Sequence, residues 1–195
     1  MTVYILLFRG VGGATQLPTK PLREALAEAG FENAGTYINS GNAYLKTDMP
    51  RAEMLKTVAG ICRDRFGFTK AIYAPSLADW KKLIRQNPFP EAVDVPKYLH
   101  AAVLEAKPDP AKVEAIRAYA AKGERIEIVD KVAYLHTPHG FGASKLAVKF
   151  DSGIGVGNTA RNWNTVLKLL ELGEAAEGGE PGLPTRLFRV GGRDR

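Results

Sequence analysis

Hydrophobic and polar positions follow two rhythms along this chain, and they alternate in a definite order. Residues 3–8 form a short continuous apolar run, the pattern of a buried strand. In "TKPLREALAEAG", Leu22, Ala25, Leu26 and Ala29 fall on one helical face and Gly30 provides a stop. "GTYIN" and "NAYLK" are β-rich runs on either side of Ser40-Gly41, which predicts a hairpin. Leu55, Val58, Cys62 and Phe66 then mark the buried stripe of a helix over residues 51–66, and "TKAIYA" reads as a further strand. The resulting order, β-α-β-β-α-β, is that of a split βαβ, or ferredoxin-like, unit.

The order then recurs. "SLADWKKLIRQN" is a connecting helix closed by "PFP", and "KYLHAAVLE" is a strand. "DPAKVEAIRAYAAKG" is a helix, "RIEIV" and "VAYLH" form a hairpin around Asp130-Lys131, and a shorter helix starts near Ser144. After the glycine-rich "DSGIGVGN" comes "TARNWNTVLKLLEL", in which Trp163, Val166, Leu167 and Leu170 recur at helical spacing and Gly173 reads as the stop. The fold class expected is α+β, with two ferredoxin-like subdomains packed together. The boundaries are 1–76 for the first subdomain, 77–96 for a connecting helix and linker, 97–173 for the second, and 174–195 for a Gly/Pro-rich tail in which only "TRLFRV" is apolar enough to dock.

Composition narrows the classes of function. The 195 residues carry 27 Lys+Arg against 21 Asp+Glu, a formal charge of +6. Residues 1–90 hold 12 of the cations and 7 of the acids, so +5 of the excess lies there. Such a balance favours anionic partners without choosing one. The single cysteine, Cys62, excludes an internal disulfide, and its place on an apolar helical stripe makes it a core residue. No apolar stretch approaches the roughly 20 residues that span a bilayer, and "TVYILLF" lacks the basic flank of a signal peptide. A cytoplasmic protein without a membrane partner is expected; its oligomeric state is left open.

Three stretches together resemble the bacterial domain-of-unknown-function 1697 family: "VYILLFRGVGG" with the helix "PLREALAEAGF", then "TYINSGNAYL", then "SKL" with "TARNWNTVLKLLEL". "YINSGN" and "TARNWNTV" are the specific pieces. The resemblance implies two ferredoxin-related subdomains and no particular reaction. The chain departs from the family pattern in a shorter first loop and in Gly153, Gly155 and Gly157, where a longer helix is usual.

Catalytic and metal motifs are absent from the sequence. His136 and His139 lie at a strand end and a Pro-Gly turn with no partner at metal-ligand spacing, so neither a metal nor a cofactor is expected. His100 alternates along a strand and reads as a solvated or hydrogen-bonded face residue. "GIGVG" lacks the strict GxGxxG spacing and reads as a connector rather than a phosphate loop. The unusual feature is "RNWN": arginine is unfavourable at a helix start, where the backbone dipole is positive, unless an anion or an internal carboxylate such as Asp151 accompanies it.

Arg161 and Asn162 are therefore expected at a helix N-terminus, facing a polar site with Asn39, Ser40 or Arg9. The full candidate set for ligand binding is Arg9, Asn39, Ser40, Asn42, Ser144, Lys145, Arg161, Asn162 and Asn164. The reading that follows is a binding module for an anionic ligand, either a phosphorylated small molecule or a nucleic acid held on a sheet. An enzyme with a polar acyl- or phosphoryl-transfer pocket, built on Arg9, Ser40, Asn42, Ser144, Lys145 and Arg161, is the second reading. A dimeric interaction protein pairing through sheet edges is the third.

Overall fold

The computed structural model describes residues 1–11 and 16–178. Among them are eight strands and six α-helices. The first half contains β1 (Thr2–Phe8), α1 (Thr19–Glu28), β2 (Glu32–Thr36), β3 (Asn42–Thr47), α2 (Arg51–Phe66) and β4 (Ile72–Tyr73). After α3 (Leu77–Arg85) and two short 3-10 turns, the second half contains β5 (Leu99–Leu104), α4 (Pro110–Arg117), β6 (Arg125–Val129), β7 (Val132–His136), α5 (Lys145–Gly153) and β8 (Asn158–Asn162). It closes with α6 (Trp163–Gly178). The strands form two four-stranded antiparallel sheets, in the orders β2-β3-β1-β4 and β6-β7-β5-β8. The two ferredoxin-like units read from the hydrophobic rhythm are thus present, with the same order of strands in each sheet.

Period-two alternation decides what each sheet face covers. From β1, Tyr4, Leu6 and Phe8 turn outward to a core shared with Leu22 and Leu26 of α1 and Met54, Val58 and Cys62 of α2. Ile5 and Leu7 turn inward to a central core with Trp80, Leu83, Val166 and Leu169. Leu99 and Ala101 of β5 and Tyr134 of β7 enter that same core from the other sheet. Ala102, Leu104, Ala133 and Leu135 turn to a third core under α4 and α5. The molecule is therefore layered: outer helices, a sheet, a middle layer of α3 and α6, the second sheet, and outer helices again. Most of both inner sheet faces is covered by the central core, and the outer faces are covered by helices. A nucleic acid lying across an open sheet, as the sequence suggested, has no open sheet to use among the described residues.

Two details depart from the sequence reading. Gly173 does not stop α6, which continues to Gly178. A Cβ at Gly173 would lie 2.8 Å from Leu77 Cδ1 and 3.1 Å from Ile5 Cδ1, so this glycine permits close packing of the helix on α3 and β1. The anticipated strand "TKAIYA" has only two residues in regular pairing. Pro75 lacks a backbone N–H and cannot complete the ladder beyond it. Residues 179–195, and with them "TRLFRV", lie outside the described residues. No described helix is long and apolar enough to cross a membrane.

Candidate functional site

The "RNWN" segment is not the opening of a helix. Residues 158–162 are β8, paired with β5, and α6 begins at Trp163. Asn162 is the cap: its Oδ1 accepts the Thr165 backbone N–H at 2.9 Å, which satisfies one of the free donors at a helix start. Trp163 is buried in the central core and Asn164 is exposed. The two asparagines thus flank the strand-to-helix junction, and neither faces the other candidates.

Arg161 sits on the inner face of β8, and three of its five partners come from the first half of the chain. Nε donates to Asn42 Oδ1 at 2.6 Å. Nη2 donates to the Gly41 carbonyl at 2.8 Å and the Phe8 carbonyl at 3.1 Å. Nη1 donates to Thr159 Oγ1 and the Ala160 carbonyl, both at 2.8 Å. Every nitrogen of the fork is engaged, so the expected partner, whether external anion or internal carboxylate, is replaced by five neutral oxygens. Burial pushes its pKa down to about 10, the direction expected when a cation leaves water.

The "NSGN" hairpin is built for this contact. Tyr37 N–H bonds the Asn42 carbonyl, closing a four-residue turn in which Ile38 (φ 48°) and Gly41 (φ 86°) are left-handed. A Cβ at Gly41 would lie 2.8 Å from the Phe8 carbonyl oxygen, the same atom that Arg161 uses. Asn42 is fully buried and its Nδ2 donates to the Tyr37 carbonyl and Ser40 Oγ. Asn39 and Ser40 are exposed, and Asn39 donates to Gln16 Oε1 at 3.4 Å.

Of the remaining candidates, Arg9 and Ser144 are occupied within the protein. Arg9 bridges to the second half, donating to the Asn158 carbonyl and pairing with Asp151 at 3.0 Å. Asp151, proposed as a partner for Arg161, is therefore Arg9's. Ser144 is a buried N-cap whose Oγ accepts the Ala147 N–H at 3.1 Å, and Lys145 beside it is exposed. Structure thus brings Arg161, Asn42 and Ser40 together and leaves Ser144, Lys145, Asn162 and Asn164 elsewhere. What converges is a clamp between the sheets.

"GIGVG" leads into strand β8, not into a helix, so the geometry of a phosphate loop does not arise. A Cβ at Gly157 would lie 2.6 Å from both the Tyr73 hydroxyl oxygen and Glu105 Oε2. Those two groups border the feature that sequence reasoning missed, a cleft of about 430 Å³ between the subdomains. Its walls are Arg51 and Leu55 of α2, residues 72–75, Asp79, Lys82, Leu83 and Gln86 of α3, residues 103–105, and residues 130–132. Arg51 pairs with Asp79 and Lys82 with Asp130, each at 2.7 Å. Lys131 has the Glu105 carbonyl at 3.4 Å. Burial raises the Tyr73 pKa, against an opposing influence from Arg9. No candidate from the sequence lines this cleft; its parts come from five separated segments, none of which carries a motif.

His100 also differs from expectation. It stacks on Phe141 with ring centroids 3.9 Å apart, and its enclosed Nδ1 has no hydrogen-bond partner. Burial pushes its pKa down to about 4. Among the described residues no three His, Cys, Asp or Glu side chains form a group that could hold a metal.

The family described as "Protein of unknown function (DUF1697)" matches residues 1–134. The chain belongs to this family. The match contains "YINSGN" and ends before "TARNWNTV". A solved structure, that of conserved bacterial protein SP0830 from Streptococcus pneumoniae, is similar with a TM-score of 0.68 at 20% identity. The likeness covers 88% of this chain and 98% of that one, and it concerns the fold. No curated protein matches.

Proposed function

We propose that this DUF1697 protein is a binding module whose ligand sits in the cleft between the two sheets. The observation that supports this is the make-up of the cleft. Its volume of about 430 Å³ is in the range of small-molecule sites. Its floor is apolar, with Leu55, Leu83, Val103 and Val132, and its rim is charged. Arg51, Lys82 and Lys131 face Asp79, Glu105 and Asp130, so the formal charges cancel. A ligand with both polar signs and an apolar body suits such a lining better than a bare anion.

The anionic-ligand reading keeps one foothold here. Lys131 makes no ion pair within 4 Å among the described residues, which leaves it able to meet a phosphoryl group. For nucleic acid the support is the net charge of +6 alone. No observation favours acyl or phosphoryl transfer: Arg9, Asn42 and Arg161 bond protein partners, Ser40 and Ser144 each accept a hydrogen bond from within the protein, and Lys145 is exposed outside the clamp. The edge-paired dimer gains no support either. Arg125 and Glu127 of the edge strand β6 are held in ion pairs with Glu91 and Arg117.

The test compares the protein with Gln86→Trp, which fills the cleft from the end of α3 without touching the central core. Calorimetric titrations use small zwitterions, phosphomonoesters and single-stranded RNA at low salt. Binding to the parent that is lost in Gln86→Trp supports a seat in the cleft. Binding that survives the substitution places the ligand elsewhere and overturns the reading.

A further inference from the structure

The edge of the first sheet carries polar backbone groups that the fold does not use. Two bonds fix the phase of the outermost segment against β1. Arg9 N–H donates to the Ala71 carbonyl and Ile5 N–H to the Pro75 carbonyl, both at 2.9 Å. Between them Leu7 is opposite Tyr73 and Phe8 opposite Ile72. Residues 71, 73 and 75 therefore turn their backbone groups toward β1, and Ile72 and Ala74 turn theirs away. β4 is the last strand of its sheet, so no strand receives them. Neither residue has another backbone hydrogen bond among the described residues. Ala74 is only 7% exposed and lines the cleft. Ile72 is half-buried and also lines the cleft. Backbone groups without partners are rare where the fold closes over them, and here they border an open cleft.

We infer that the cleft takes an extended peptide segment, which adds to the free edge of β4 as a short strand. The inference rests on the cleft being the ligand seat and names the class of ligand. Ile72 and Ala74 each present a donor and an acceptor, with a repeat of about 6.6 Å along the strand. An extended backbone offers both types of group at that repeat. A phosphate ester offers acceptors without matching donors. Side chains of an added strand would alternate between the α2 side, where Leu55 lies, and the inner side, where Leu83 and Val132 lie. Both walls accept apolar groups, and Glu105 and Lys131 are placed for polar ones at the ends. Pro75 ends the edge, and the second sheet encloses it. The seat is therefore short and selective, which distinguishes it from a sticky open edge.

The test uses the full chain, labelled with 15N, and a pool of blocked hexapeptides built from Val, Leu, Thr, Lys and Glu in all orders. A second pool carries N-methyl groups at alternate residues. Separate arms use free amino acids and phosphomonoesters. With the first pool, hydrogen exchange at the Ile72 and Ala74 amides should slow by at least about tenfold, and the N-methyl pool should lose the effect. Peptide binding that is indifferent to N-methylation overturns the backbone pairing. Perturbation of the cleft by amino acids or phosphomonoesters but not by peptides overturns the peptide class and leaves the cleft reading standing. If no arm perturbs the cleft amides, both fall.

Discussion

Replacing Arg161 with methionine keeps the bulk of the side chain and removes the fork that joins the two sheets. Three acceptors of the first sheet lose their donor: Asn42 Oδ1, the Gly41 carbonyl and the Phe8 carbonyl. The Gly41 carbonyl retains the Phe8 N–H, so it is not wholly stranded. Asn42 is fully buried and cannot turn to water. A hydrogen bond from a charged donor contributes about 1.5–3 kcal/mol, but bonds that share one side chain do not add. The methionine also relieves the burial of a cation, which offsets part of the loss. The net expectation is a destabilisation of about 3–5 kcal/mol. For a chain of this size that is roughly 10 °C in Tm. Urea melts of the variant, of Asn42→Leu and of the double variant form the assay. The double variant should be less destabilised than the sum of the singles, because the Arg161–Asn42 contact is lost only once. A loss below about 1 kcal/mol for Arg161→Met would refute the clamp and reopen the site to an external anion.

Other expectations follow from the same geometry. Gly41→Ala should cost about 1–3 kcal/mol, from the left-handed backbone and the close Phe8 carbonyl, read as a drop in urea midpoint. Gly173→Ala should destabilise by about 1 kcal/mol despite the better helix propensity of alanine, because its Cβ meets Leu77 and Ile5; a gain in stability would contradict that packing. His100, with a folded pKa of about 4 against an ordinary 6.5, binds a proton more readily when unfolded. Its contribution, on the order of 3 kcal/mol, is therefore full above pH 6.5 and is lost as pH falls from 6.5 toward 4. An imidazole NMR titration with a midpoint near 6.5 would overturn this. Cys62, buried on α2 with its pKa pushed up to about 11, should resist alkylation at pH 8 until the chain is denatured.

The fold was legible because burial imposes a period, and two rhythms in a repeated order leave few ways to layer the elements. The β-hairpins, the Ser144 helix start and the core position of Cys62 were all local signals of this kind. The Gly173 stop failed because a glycine can serve close packing as well as chain reversal, and only the neighbours on α3 and β1 decide between them. "RNWN" misled for a related reason. Asn162 really is a helix cap, but Arg161, one residue earlier, belongs to a strand, so the dipole argument does not apply to it. Its partners are three carbonyls and two side-chain oxygens, and carbonyls leave no mark on a sequence. The cleft was illegible for the opposite reason. Tyr73, Glu105 and Lys131 are ordinary surface residues until two sheets bring them together.

The position of a bound ligand is the most direct test of where this protein works. Amide chemical-shift mapping of the 15N-labelled chain, against peptides, zwitterions and phosphomonoesters in turn, would locate it. A seat in the cleft predicts shifts at residues 72–75, 103–105 and 130–132, with residues 39–42 and 158–162 unmoved. Shifts centred on Asn39–Asn42 and Arg161, with a silent cleft, would contradict it and return the function to the clamp.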